Sequence, residues 1–242
     1  MRRSLAKLFV AVLPLVIGAP LQIHAGTIAV LAARDREVEA LKQQFDLVGQ
    51  SLELEGRPVY QARFRGHPVL LAKTGANPDA VAPMIRWLVE DRHVQTVISV
   101  GPAGALVDRI AIGDVVVAHN AVRDLVPRSG VVWPAAQFTN CETKPVGTVV
   151  TVAAFVADGT ERSRLHATYD AELVDMSAAV IAEVCASHHV PCVIIRQITD
   201  RADVDAPRAF AESVHERHPP SVPAAICVLG QLILGLAGGG PS

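Results

Sequence analysis

The chain is 242 residues long, half of them hydrophobic but only 4% aromatic, with a formal charge of −2 at neutral pH. Such a length can bury a substantial core, which this composition must build from Ala, Val, Ile and Leu. The near-neutral charge gives no electrostatic case for nucleic acid. The nine histidines show no metal-ligand spacing, since His188 and His189 diverge on a helix and His215 and His218 lack a third ligand nearby.

In chain order, Met1 to Lys7 is a basic segment, Leu8 to Leu21 is apolar apart from Gly and Pro, and Ala25 precedes Gly26. Residues 1–25 thus have the anatomy of a secretory signal, short for a spanning helix and broken at Pro14 and Pro20. The alternative is an uncleaved anchor, the only contact with a membrane that the sequence suggests. A cleaved chain is expected to be periplasmic or secreted and to begin with a strand at 28–32. A helix over 34–45 follows, with Val38, Leu41 and Phe45 on one face. Val59 to Phe64 and Pro68 to Lys73 read as a hairpin around Arg65, Gly66 and His67. Asn77 caps the next helix, with Pro78 at its first position.

Thr96 to Val100 is a buried strand, and Gly101-Pro-Ala-Gly104 is expected to turn at its end. Further strands are predicted at 113–118, 147–152 and 192–198, with helices from about Ser177 and near 222–237. Residues 26–237 therefore form one domain, without linker or internal repeat, and 238–242 a flexible tail. The alternation argues for an α/β fold with a mixed sheet between helices.

Three places can carry chemistry. Arg196 and Asp200 fall at or just beyond the carboxyl end of the apolar run 192–195, where open α/β sheets place ligands. An acid there can exchange a proton with a small molecule; the plainer reading is a cap or loop aspartate. Glu37 lies in the helix after the first strand, where it either activates a water or stands as an exposed first-turn acid favoured by the helix dipole. The small residues 101–104 let a flat ligand approach the backbone, although they complete no dinucleotide fingerprint, and Lys73-Thr-Gly-Ala makes no P-loop. An oxidising compartment permits a disulfide among Cys141, Cys185, Cys192 and Cys227. Because the last three lie in apolar runs, buried thiols are the expectation.

Five segments, IAVLAARDREV (28–38), TVISVGPAGAL (96–106), IGDVV (112–116), VDM (174–176) and VIIRQITD (193–200), occur in the order and spacing of the nucleoside phosphorylase superfamily. The chain resembles its methylthioadenosine/S-adenosylhomocysteine nucleosidase branch. The resemblance implies a three-layer α/β sandwich with a central mixed, partly barrel-like sheet. It also implies cleavage of a purine nucleoside without metal or organic cofactor, in a homodimer whose partner is a small-molecule nucleoside. Asp200 matches the acid that protonates the purine at N7, Glu37 the glutamate that orients and deprotonates the attacking water, and Arg196 the arginine that helps hold that glutamate and water. Phe155 matches the aromatic that packs on the base, with Val156 beside it; Ala103 and Gly104 line the base pocket, and Met176 lies against the sugar.

Two positions depart from the family pattern. Ser177 stands where relatives carry the glutamate that holds the ribose hydroxyls, and charge-assisted hydrogen bonds contribute roughly 1.5–3 kcal/mol each. Asp175 is the neighbouring acid able to replace it. Pro102 stands where a serine is common. These departures imply altered sugar specificity or weakened catalysis. A non-catalytic nucleoside- or base-binding protein is the alternative reading, and a ligand-free storage-like protein a further one. Phosphorolysis requires an anion site, for which Arg34, Arg36 and Arg123 are available without a recognisable motif. The carboxylate of Glu37 favours water over phosphate.

Overall fold

The computed structural model describes residues 26–75, 77–126, 131–132, 138, 140–215 and 219–238; the expected signal segment lies outside them. The elements in chain order are β1 (Ile28–Ala32), α1 (Asp35–Lys42), β2 (Asp46–Leu47), β3 (Leu52–Leu54), β4 (Arg57–Phe64), β5 (His67–Lys73), α2 (Pro78–Glu90), β6 (Thr96–Ala105), β7 (Val115–Arg123) and β8 (Val131–Val132). They continue with β9 (Lys144–Thr151), α3 (Gly159–Tyr169), β10 (Leu173–Asp175), α4 (Ala178–Ser187), β11 (Cys192–Asp200), α5 (Ala206–Val214) and α6 (Ser221–Gly238). The last helix reaches one residue into the expected tail.

The strands order as β10-β9-β7-β11-β6-β1-β5-β4-β2, and β10 also pairs with β6. That extra pairing closes β6, β11, β7, β9 and β10 into a five-stranded ring, from which β1, β5, β4 and β2 extend as an open wing. Period-two alternation explains the layers. Ala29 and Leu31 of β1 point into one core with α2 and α4, whereas Ile28, Val30 and Ala32 point into the other with α1 and α6. The apolar residues of α6 from Val222 to Ile233 are spent on that second core, which answers where this face packs within the chain.

Residues 101–104 do not turn. They continue β6 in parallel register with β11, Arg196 opposite Gly101 and Asp200 opposite Gly104, with an irregularity between Ile198 and Asp200. The glycines serve close approach instead: a Cβ on Gly101 would lie 3.1 Å from the Ala33 Cβ, and one on Gly104 would lie 2.7 Å from Asp200 Oδ1. Four short elements carried little or no sequence signal (β2, β3, β8 and β10). The helices α3 and α5 were missed as well.

The cysteines divide. Cys185 and Cys192 are buried thiols, as expected, but Cys227 is joined to Cys141 by a disulfide with Cα atoms 5.4 Å apart. The apolar setting of Cys227 reflected its place on the core-facing helix α6, and the partner was supplied by the segment before β9. The bridge closes a loop of 86 residues, for which chain entropy gives about 4.6 kcal/mol. Urea unfolding with and without a reductant checks this, and the reduced protein is expected to lose roughly that much.

Candidate active site

A cavity at the carboxyl ends of the ring strands is lined by Ala103, Gly104, Phe155, Val156, Asp175, Met176, Ser177 and Asp200. Eight of the ten site residues expected from sequence thus share one wall system. Glu37 and Arg196 lie outside the lining. Ala33, Pro102, Val152, Ala154, Val174, Thr199 and Phe210 complete it. Phe210 packs edge-on against Phe155, with ring centres 5.5 Å apart.

Asp200 is buried, with Thr199 Oγ1 donating to Oδ2 at 2.8 Å and the Ala202 N–H donating to Oδ1 at 2.9 Å. Burial pushes its carboxyl above the ordinary value, assisted by the nearby charge of Asp203 and opposed by those two donors. The result is a carboxyl that holds its proton further toward neutrality than a surface aspartate, against a face of the cavity that Gly104 leaves open.

Glu37 is not the exposed first-turn acid of the plainer reading; it is fully buried. Its Oε2 accepts the N–H groups of Ala33 and Arg34 at 3.1 and 3.0 Å, the latter being the glutamate half of a capping box. Its Oε1 accepts Arg34 Nε at 3.0 Å and Nη2 at 2.7 Å. Four donors fill the carboxylate's roughly four lone-pair sites. The guanidinium that holds Glu37 is therefore Arg34, whose other contacts are Gln197 Oε1 at 3.0 Å and Ser213 Oγ at 3.4 Å.

Arg196 does not hold Glu37, contrary to the role implied by resemblance. Its Nε donates to Asp175 Oδ2 at 2.8 Å, and its Nη1 donates to Ile195 O and Ser99 Oγ at 2.9 and 3.2 Å. Asp175 is likewise committed. It accepts from Thr151 Oγ1 at 2.6 Å and from the Ala178 N–H at 2.9 Å, at the start of α4. Both of its oxygens are thus occupied by protein donors, and a ribose clamp at Asp175 would have to displace one of them. Ser177 Oγ, 3.4 Å from Arg196 Nη2, is the polar side chain left at that edge. Arg123, a candidate for phosphate, is paired instead with Glu183 at 2.5 Å.

Sequence reasoning named Arg34 only as a possible anion ligand and missed its pairing with Glu37, and it missed Ala33 and Phe210. Arg34 had a signal: an arginine three residues before a first-turn glutamate is an (i, i+3) ion-pair spacing. Phe210 sits on α5, whose start is marked by Pro207 in its first turn. A groove of about 560 Å³ between α1 and α6 has Arg65 as its sole ionisable lining residue and offers no acid or base.

Residues 27–233 match the model of the Phosphorylase superfamily, and the chain belongs to that family. The chain is 25% identical over 229 residues to a 5′-methylthioadenosine/S-adenosylhomocysteine nucleosidase of Tolumonas auensis, covering 85% of this chain and 99% of the relative. It superposes on the S-adenosylhomocysteine nucleosidase of Streptococcus pyogenes, solved with 5-methylthiotubericidin, with a TM-score of 0.77 and 25% identity over 86% of this chain and 98% of that one. The futalosine hydrolase of Helicobacter pylori gives a TM-score of 0.78 at 22% identity, covering 88% and 99%. The fold, including the closed ring of strands, is that of these nucleosidases.

The raised proton affinity of Asp200 has a stability consequence whose sign can be worked out. In strong acid both folded and unfolded forms are protonated, and the contribution vanishes. As pH rises past the ordinary aspartate value the unfolded chain ionises first, so the folded state loses stability until the raised value is passed. Asp200→Asn removes that penalty. The variant is expected to unfold at higher urea than the parent near neutral pH, the gap closing as the solution is acidified.

Proposed function

We propose that this protein hydrolyses the N-glycosidic bond of a purine nucleoside. The observation that carries the reading is Asp200, a buried carboxyl with a raised proton affinity in the wall of a cavity on this fold. Protonating the departing base turns an anionic leaving group into a neutral one, and general-acid help of this kind contributes roughly 10²–10⁴ in rate. The relatives from Tolumonas auensis and Streptococcus pyogenes, both described as nucleosidases, support hydrolysis and a thio-substituted adenosine among the substrates.

The second reactant is water, oriented by Glu37 from behind Ala33. Glu37 gains a free lone pair when Arg34 leans toward Gln197 and Ser213, which it already touches. The cavity itself is narrow, about 90 Å³, against about 300–1,000 Å³ for small-molecule sites in general. A nucleoside therefore enters by parting Phe155 from Phe210, and Phe155, 44% exposed, has room to move.

The test is free-base release from adenosine, methylthioadenosine, S-adenosylhomocysteine, inosine and 2′-deoxyadenosine, with and without phosphate. Phosphate-independent release is expected, falling by about 10²–10⁴ in Asp200→Asn and strongly in Glu37→Gln, with base binding retained in the latter. Undiminished turnover in Asp200→Asn would sink the mechanism. The second reading, a non-catalytic nucleoside-binding protein, is favoured by Ser177 and by the committed state of Asp175, which leave the sugar edge without a free carboxylate. Thermal stabilisation by nucleosides without base release from any of them would establish it.

We also infer that the chain is exported. The signal-like composition of residues 1–25 and the Cys141–Cys227 bridge support this together, because such bridges persist in oxidising compartments. Cell fractionation is expected to find the protein outside the cytoplasm with an amino terminus at Gly26. A cytoplasmic, full-length product would overturn it.

A further inference from the structure

A second cavity, of about 470 Å³, adjoins the first and shares Ala33 and Phe210 with it. Among the described residues its polar lining comprises Arg34, Arg36, Lys73 and Ser213, with Asp35 as the one acidic lining residue. With Arg34 paired to the buried Glu37 and Lys73 facing Asp35, the charge of Arg36 is left over, and among the described residues the cleft is net positive in a chain whose overall charge is slightly negative. The compensation within it is loose where it faces solvent. Lys73 meets Asp35 at 2.7 Å, but the two side chains are 41% and 80% exposed, and exposed pairs of this kind contribute little. Arg36 is exposed and has no ion-pair partner among the described residues.

The position of the cleft follows from β6. Ala33 packs on Gly101 and Asp200 on Gly104, and three residues of strand separate the two ends of the first cavity by about 10 Å. A purine whose ring nitrogen meets Asp200 therefore directs its sugar toward Ala33. What projects from the sugar beyond Ala33 and Phe210 enters the basic cleft.

We propose that this cleft binds an anionic group carried on the sugar side of the nucleoside, a phosphate monoester or a carboxylate, so that the preferred substrate is a negatively charged nucleoside derivative. The inference rests on the nucleosidase reading for the orientation of the base. Arg36 and Lys73 supply the charge at the mouth, and the Arg34 guanidinium supplies donors deeper in.

The experiment compares adenosine 5′-monophosphate with adenosine, in the parent and in an Arg36→Ala/Lys73→Ala variant, neither residue being part of the acid or base machinery. The parent is expected to favour the monophosphate by about tenfold or more in kcat/KM at low ionic strength. The preference should shrink with added sodium chloride and be lost in the variant, whose rate with adenosine is unchanged. Equal parent values for the two substrates overturn the proposal. So does an equal loss on both substrates in the variant, or acceleration of adenosine cleavage by inorganic phosphate, which would make the cleft a site for free anion. If neither compound is cleaved, the hydrolase reading fails on its own, and the cleft is decided by melting temperature. A rise greater with the monophosphate than with adenosine, abolished in the variant, upholds the site; equal rises overturn it.

Discussion

The pair formed by Arg196 and Asp175 is the interaction on which the site depends. Both side chains are almost wholly buried, at 1% and 2% exposure, in a setting where an isolated charge would be strongly disfavoured. Each is therefore surrounded by donors or acceptors from a different element. Ser99 comes from β6, Thr151 from β9, and the first N–H groups of α4 from the crossing after β10. Replacing such a pair by apolar residues is often neutral in stability, whereas removing one partner costs about 3–5 kcal/mol. The pair is thus a fixed joint more than a source of net stability. It fixes how β10 meets β11, and so where Ser177 and Asp200 stand relative to each other.

Close approach of backbones does the rest. Gly101 and Gly104 allow Ala33 and Asp200 to press on β6 from opposite ends of the cavity, and side chains at either position would push them away. Arg34 then occupies the boundary between two environments. One edge of its guanidinium neutralises a buried glutamate, and the residue also lines the basic cleft. A single arginine thereby ties the charge state of the interior to what occupies the surface.

Much of this was legible in the sequence, for reasons that differ between elements. The strands β1, β5 and β11 are apolar runs buried on both faces, and they stand out by hydrophobicity alone. The ring closure through β10 did not, because three residues carry no periodicity, and the pairing of Leu173 and Val174 with β6 is a long-range event. The 101–104 segment misled for a physical reason: glycine and proline usually mark turns, yet here they thin a strand so that neighbours can touch it. The family pattern brought Asp200, Phe155 and Met176 to one cavity. It did not supply Arg34 as the partner of Glu37, because it assigned that role to Arg196. The exchange of a sugar-binding acid for Ser177 was visible as a substitution. That Asp175 is already bonded to Thr151, Arg196 and the start of α4 could be seen only from the structure.

The bond between Cys141 and Cys227 has a topological consequence. The segment it spans contains β9, β10 and β11, three of the five ring strands, together with α3, α4 and α5. A protease that cuts the exposed start of α3, or any other single site within the spanned segment, produces two pieces that stay covalently attached. Neither piece can diffuse away, and the severed ends remain at high local concentration, so the ring can close again around the same cavity. A nick in this segment would then be an injury that the fold survives.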